Sequence, residues 1–435
     1  LSNPLPGTWL LQSLSIMHSQ GLHALMTAPS CWQAHLGCRQ VHTAPVPLET
    51  DVAIIGAGIS GLAAAQRALE AGLSVTVLEA GEVGNGASGR NSGFVVPVPA
   101  RHTPESLRRL LGHGATALMA ALQHTLQQVF SLASTDGRRG WVQPLTPASA
   151  VNARTLVAGW QHLGVDAALL DGDALAQAIG TTRYTIALHF PEGGAINPLA
   201  LVQQLVNAIY HRGGSIIEHC PVTRITPHGR VITVETPAGH LKAGRVFIAG
   251  NAYGIGASHF TRRAVGPIPL ALATFTAPCP ASPGPLPFSD NNKDMWFARW
   301  LDARTVLTGC FALPLQRSSQ ACTDLLRARI EQLYGYRPEA PHQQWGGWVG
   351  LTSNGMPRVH YGDDRILSWS GCNGRGIALS VMMGHALMDH LCGHVGQPVP
   401  LPGSVGWQQG SVLAWLAQAV IAQDRYRQRR ALIAS

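Results

Sequence analysis

The chain has 435 residues, of which 46% are hydrophobic and 12% charged, enough apolar material to bury the core of about two domains and too much for global disorder. Its net charge of +8 suits an anionic cofactor or substrate as well as a nucleic acid. However, no run of five basic residues occurs, and the densest group (Arg425, Arg427, Arg429, Arg430) shares a C-terminal stretch with Leu416, Val420 and Ile421, the pattern of a basic helix with a solvated face rather than a nucleic-acid site. In chain order, residues 1–45 carry an apolar patch (Trp9, Leu10, Leu11, Leu14, Ile16) without the basic start of a signal peptide, and read as an extension, partly disordered, with no identifiable chemistry. No uncharged apolar stretch approaches the roughly 18 residues of a membrane span. Eight cysteines without CxxC or zinc spacing read as reduced thiols of a cytoplasmic protein, and no histidine spacing suggests a metal.

The apolar β-branched run Val52–Ile55 is followed by Gly56, Gly58 and Gly61, with Ile59 and Ser60 between them, and then by an Ala-rich helical segment from Leu62 to Ala71. A second run, Val75–Leu78, ends in Glu79. Strand, tight turn, helix, strand and acid in this order predict a dinucleotide-binding unit. The glycines let backbone amides approach a pyrophosphate at the helix N-terminus, and the carboxylate accepts hydrogen bonds from ribose hydroxyls. Neither feature separates NAD from FAD. The following Ala80–Gly93 stretch includes Gly86, Ala87, Ser88, Arg90, Asn91, Ser92 and Gly93. It reads equally as a flexible surface loop or as a cofactor loop offering amides, Ser88 and Arg90 to phosphate or ring atoms.

Three later segments join this loop. Gly193–Pro198 precedes a helical pattern and the strand Ile216–Glu218; Arg245–Tyr253 reads as a strand and turn; and Ile366–Ser370 leads through Gly371, Cys372, Asn373, Gly374, Arg375 and Gly376 into an apolar helix, Ile377–Leu391. A Gly-rich turn opening a helix aims free amides and a positive dipole end at whatever lies before it.

Taken together, the four segments resemble the superfamily of D-amino-acid, glycine and sarcosine oxidases, and the Gly86–Gly93 run resembles its amine-oxidising branch that includes gamma-glutamylputrescine oxidase. The resemblance implies an α/β (α+β) fold: a Rossmann-like FAD-binding domain (46–100, 190–255, 345–395) interleaved with a substrate domain on a mixed or antiparallel sheet (101–189, 256–344), followed by a C-terminal segment, 396–435. It further implies FAD held at the glycine turn and loop, with Val222 contacting adenine, Ala249 and Gly250 closing over the nucleotide, and Gly371, Asn373, Gly374, Arg375, Gly376 and Ile377 beside the flavin. The implied reaction is oxidation of the C–N bond of a primary or secondary amine, by hydride transfer to flavin N5, to an imine that hydrolyses to an aldehyde. Positioning suffices for this chemistry, so no dedicated acid or base is required.

Where sarcosine oxidase attaches flavin through a cysteine, this chain has Gly347, which implies noncovalent FAD. Where glycine oxidase clamps a substrate carboxylate with arginine, it has Val349, which disfavours simple α-amino acids. Candidate pocket residues are His102, Trp296, Arg299, Trp348, Val349 and Arg375, with Trp345 and Trp348 on opposite faces of one strand. The expected partners are an amine and O2 or another electron acceptor, in a monomer or homodimer. An amino-acid oxidase or dehydrogenase, a heteromeric or non-catalytic flavoprotein subunit, and an NAD(P)-dependent dehydrogenase remain as alternatives.

Overall fold

The computed structural model describes residues 21–33, 45–133, 137–253, 265–278, 284–314, 318–393 and 410–434. The glycine turn joins the strand Glu49–Ile55 to the helix Ile59–Glu70, and the helix returns to the strand Val75–Leu78, parallel and adjacent to the first. Five parallel strands run in the order Ile366–Ser370, Gly239–Ile248, Glu49–Ile55, Val75–Leu78, Ser215–Ile217. Arg358–Asp363 adds an antiparallel edge, and the hairpin Arg224–His228 and Val231–Thr236 pairs with Gly239–Ile248. Both faces of this sheet are covered, so its strands are continuous apolar runs rather than alternating ones. Val52, Ile54 and Val77 face a helical layer, while Ala53, Ile55 and Leu78 pack with Ile232 and Val234 of the hairpin.

Small residues set the spacing of the helical layer. Ala63, Ala64, Ala65 and Ala68 are all buried, and a Cβ on Gly384 of the helix Gly376–Leu391 would stand 2.6 Å from the Ser60 carbonyl oxygen. The two helices therefore touch backbone to backbone within one layer on the same face of the sheet.

The second sheet has nine strands, predominantly antiparallel. Its main path is Gln343–Leu351, Gly266–Thr276, Thr305–Phe311, Phe297–Trp300, Phe288–Ser289, Arg138–Pro144, Ile186–Ala195, Phe94–Val95. The helix Ser319–Tyr334 closes one side through Cys322, Leu326 and Ile330, packed with Phe275 and Phe288. Gln343–Leu351 thus pairs in the antiparallel sheet while Gly376–Leu391 packs on the parallel one, so the seam between the layers runs through the expected 345–395 unit.

Two terminal segments pack onto the sheets. Residues 21–27 are helical, and residues 25–32 dock onto the loop that follows the nucleotide-binding unit. Ser30 Oγ donates to Gly89 O (2.7 Å), Trp32 Nε1 donates to Asn91 O (2.8 Å), and Arg90 donates to the carbonyls of Leu25 and Ala28. The apolar N-terminal patch itself, Trp9 to Ile16, lies outside the described residues. The C-terminal helix Gly410–Ala434 is not simply a solvated basic face. Arg425 is buried against the fully buried Asp294, which also pairs with Arg329. Ile421 joins Ile268, Leu313 and Leu351 in the core.

Candidate functional site

A cavity of about 1160 Å³ lies between the two sheets, larger than the roughly 300–1,000 Å³ usual for one small ligand. The C-terminal ends of the parallel strands (Ile55, Leu78, Ile248) line one part of it, and the second sheet (Leu188, Leu272, Phe297) lines another. Ligands of open α/β sheets bind beyond the carboxyl ends of the strands.

At the nucleotide end the turn admits only glycine. Gly56 has φ +103°, and a Cβ on Gly61 would lie 2.0 Å from the Gly56 carbonyl oxygen. Gly61 thus serves close helix-to-strand packing and does not line the cavity, whereas Gly56, Gly58, Ile59 and Ser60 do. The N-cap position of this helix is Gly58, so the cap residue has no side chain to turn back on the first-turn amides; Ser88 Oγ approaches from the loop and accepts the Ile59 N–H at 2.9 Å. Glu79 takes the Ala57 N–H on Oε2 (2.7 Å) and the Gly81 N–H on Oε1 (2.9 Å). A carboxylate oxygen has two lone pairs, so each retains capacity for a hydroxyl donor.

At the opposite wall Gly374 (φ +80°) and Arg375 open the helix Gly376–Leu391, which has no side-chain cap, toward the cavity. The turn is locked by Asn373, itself at φ +53°. Its Oδ1 accepts the Thr352 N–H at 2.9 Å, its N–H donates to Gly350 O at 3.0 Å, and its Nδ2 donates to Gly371 O at 2.6 Å. Two helix N-termini whose own cap residues supply no side-chain acceptor, a carboxylate with spare acceptor capacity and a turn that excludes side chains fit an anionic dinucleotide carrying a ring system.

The residues expected to hold the cofactor all line this cavity except Gly61, Gly93 and Gly371. A Cβ on Gly93 would run into Arg299 Nη1, and one on Gly371 into the Thr352 side chain. Arg90 lines the cavity, but its side-chain donors go to the carbonyls of Gly346, Leu25 and Ala28. It braces the loop instead of offering a phosphate contact, and burial lowers its pKa.

Among the candidate pocket residues, His102, Trp348, Val349 and Arg375 line the cavity; Trp296 and Arg299 do not. Trp296 is buried between Arg183 and Arg329, whose guanidinium carbons lie 4.1 and 5.1 Å from its ring. Arg299 turns away to the carbonyls of Ile196 (2.6 Å) and Ser92 (3.2 Å), with its guanidinium 5.0 Å from the Trp32 ring. Those two carbonyls and the Trp32 ring hold its guanidinium away from the cavity. Of the paired tryptophans, Trp345 is fully buried and Trp348 faces the cavity. Arg375 Nη1 donates to the carbonyls of Val98 and Pro99 (2.8 Å each), its guanidinium lies 5.3 Å from the Trp141 ring, and burial pulls its pKa down to about 10. His102 is held by Ser106 Oγ (3.2 Å) and the Asn354 carbonyl (2.8 Å), and burial lowers its pKa.

Sequence reasoning missed Tyr253. Its hydroxyl accepts the Trp348 N–H at 3.0 Å, its ring lies over Gly86, and burial raises its pKa, so it ties the cofactor loop to the cavity wall. Its one signal was its place at the end of the Arg245–Tyr253 segment. Cys372 lines the cavity and takes a hydrogen bond from Asn251 Nδ2 at 3.2 Å. Among the described residues there is no metal-ligating cluster, and no helix is long and apolar enough to cross a membrane.

Residues 51–390 match the DAO family model, FAD dependent oxidoreductase. The chain is 32% identical to gamma-glutamylputrescine oxidoreductase of Escherichia coli K12 over 216 residues, 47% of this chain and 49% of that protein, so the match spans about half the length of that relative. It is 25% identical to the probable oxidoreductase OrdL of Rhizobium meliloti over 353 residues, covering 77% of this chain and 81% of that one. Among solved structures, L-amino acid deaminase from Proteus vulgaris superposes with a TM-score of 0.69 at 19% identity, covering 84% of this chain and 96% of that one. Glycine oxidase from Geobacillus kaustophilus superposes with a TM-score of 0.66 at 20% identity, covering 83% and 100%. At such identities these structures speak for the fold.

Proposed function

The chain belongs to the DAO family of FAD-dependent oxidoreductases, and from that premise we propose that it oxidises the C–N bond of a primary or secondary amine. FAD, held noncovalently, supplies the two-electron acceptor. The amine gives up two electrons and two protons to become an imine, which takes up water to release an aldehyde and ammonia or a smaller amine. The partial match to gamma-glutamylputrescine oxidoreductase supports an amine donor.

The protein's part is to bind, orient and exclude water. In this reading the first-turn amides of Ile59–Glu70 and Gly58 hold the pyrophosphate, and Glu79 holds a ribose. The amides of Gly374, Gly376 and Ile377 stand at the helix end whose dipole favours negative charge on a reduced ring. Leu188, Leu272, Phe297 and Trp160 give the substrate region an apolar wall. Such a wall favours the neutral amine over the ammonium, and it is the neutral nitrogen whose lone pair assists C–H cleavage.

The observation that carries the choice of amine is Val349. It lines the cavity beside Gly374, at the strand position where the resemblance places a carboxylate-binding arginine. Arg375 favours a second reading, an α-amino acid, because its Nε and Nη2 have no partner among the described residues. The two readings separate in anaerobic stopped flow. An alkylamine should reduce the flavin at least about tenfold faster than the α-amino acid of equal side-chain length, corresponding to about 1.4 kcal/mol of missing clamp. Val349→Arg should narrow that gap. A preference of the unmodified protein for α-amino acids, abolished by Arg375→Met, would establish the second reading.

A further inference from the structure

The family match ends at residue 390, yet the cavity is not completed by residues 51–390 alone. The C-terminal helix contributes Asp424 and Arg427 to its wall, beside Asn291, Asn292 and Lys293 from the segment before the strand Phe297–Trp300. Lys293 and Arg427 are both exposed as well as cavity-lining, so they stand at the mouth.

The helix is fixed there by buried charge. Asp294 accepts Arg425 Nε (2.7 Å) and Nη2 (2.8 Å) as a bidentate pair and also accepts Arg329; its N–H donates to Asp424 Oδ2 (2.8 Å), and Gln428 Nε2 donates to both the Asp294 carbonyl and Asp424. One turn of helix therefore has its rotation set by its neighbours, and that rotation leaves Arg427 facing the opening.

The acids of the rim accept from neighbouring neutral donors instead of from Lys293 or Arg427. Asp424 takes the two donors just named, and Asp290 takes the N–H groups of Trp296 and Asn292, the Asn292 amide and the Tyr184 hydroxyl. Lys293 and Arg427 have no hydrogen-bond or ion-pair partner among the described residues. Counting these side chains alone, four cations (Lys293, Arg329, Arg425, Arg427) meet three carboxylates (Asp290, Asp294, Asp424), a surplus of one positive charge, and the two exposed cations keep all their donors for a ligand at the opening.

Resting on the amine reading above, we infer that Lys293 and Arg427 form an anion-selecting mouth, and that the preferred substrate is an amine carrying a remote anionic group, carboxylate or phosphate. Its amine end enters the apolar wall while its anionic end stays at the rim, where guanidinium and ammonium donors meet it.

The test uses the holoenzyme and two probes without an amine, glutarate and butyl phosphate, titrated by calorimetry. At least one should bind, with affinity falling as salt rises from about 0.02 to 0.5 M, because the rim is exposed to screening. Arg427→Gln and Lys293→Gln should each weaken binding about tenfold, and Arg427→Lys should restore most of the loss. Whichever probe binds more tightly names the anionic group. In parallel, the ratio of flavin-reduction rate constants for 5-aminopentanoate over pentylamine should fall about tenfold in Arg427→Gln. Failure of both probes to bind, or affinities indifferent to Arg427 and Lys293, overturns the anion site even if amines reduce the flavin. Probe binding without reduction by any amine instead overturns the amine reading and leaves the rim intact.

Discussion

Replacing Asp294 by Asn tests the element that ties the C-terminal helix to the substrate side of the molecule. The wild-type carboxylate is fully buried and answers two guanidiniums whose side chains are 2% and 6% exposed, Arg329 and Arg425. The amide keeps the shape and removes the charge. Two buried cations then face each other across a neutral amide, with the carbonyls of Met295, Gly309 and Phe311 among their remaining acceptors. Breaking a buried pair by removing one partner costs about 3–5 kcal/mol. At roughly 2–4 °C per kcal/mol for a domain of this size, Asp294→Asn should lower the unfolding midpoint by on the order of 10 °C. Circular dichroism and flavin fluorescence should be followed separately, since a chain of this length need not unfold in one step. The triple change Asp294→Leu, Arg329→Met, Arg425→Met should cost less than the single one, because no unpaired charge remains. A midpoint shift below about 2 °C for Asp294→Asn, or a triple variant worse than the single, would mean that the buried carboxylate does not hold the two guanidiniums in place.

Acid precipitation should release the flavin into the supernatant, since Gly347 stands at the strand position expected of a covalent cysteine; colour retained in the pellet would contradict this. Gly61→Val should empty the protein of flavin, because even a Cβ there meets Gly56 O at 2.0 Å; wild-type occupancy would remove the turn from the site. Burial raises the pKa of Asp290 to about 6 from an ordinary value of 3.8. A raised folded pKa gives stability that is fully present below about 3.8 and is lost as pH rises through about 6. The wild type should therefore lose stability relative to Asp290→Asn between pH 4 and 6, and a difference constant across that window would show that the carboxyl is ionised throughout.

The parts of this fold legible in the sequence are the local ones. The βαβ unit announces itself because glycine spacing, β-branched runs and the Ala-rich helix are determined within some thirty residues. The turn Gly371–Gly376 was legible for the same reason. Trp296 and Arg299 were misjudged because a strand pattern gives alternation but not which face meets the cavity, and the carbonyls that capture Arg299 belong to Ser92 and Ile196, far away in sequence. The docking of residues 25–32 had no signature, since its hydrogen bonds end on backbone carbonyls, which every residue has. The burial of Arg425 depends on Asp294, 131 residues away, so a basic helix pattern could not disclose it.

Oxidation of an amine on bound FAD is open to a single experiment: mixing the purified holoprotein anaerobically with a panel of primary and secondary amines and matched α-amino acids, and following the flavin absorbance together with aldehyde. Amines should bleach the flavin, with one aldehyde formed per flavin reduced, and should do so faster than the matched amino acids. A flavin that stays oxidised with every amine while α-amino acids bleach it would make the donor an α-amino acid and not an amine.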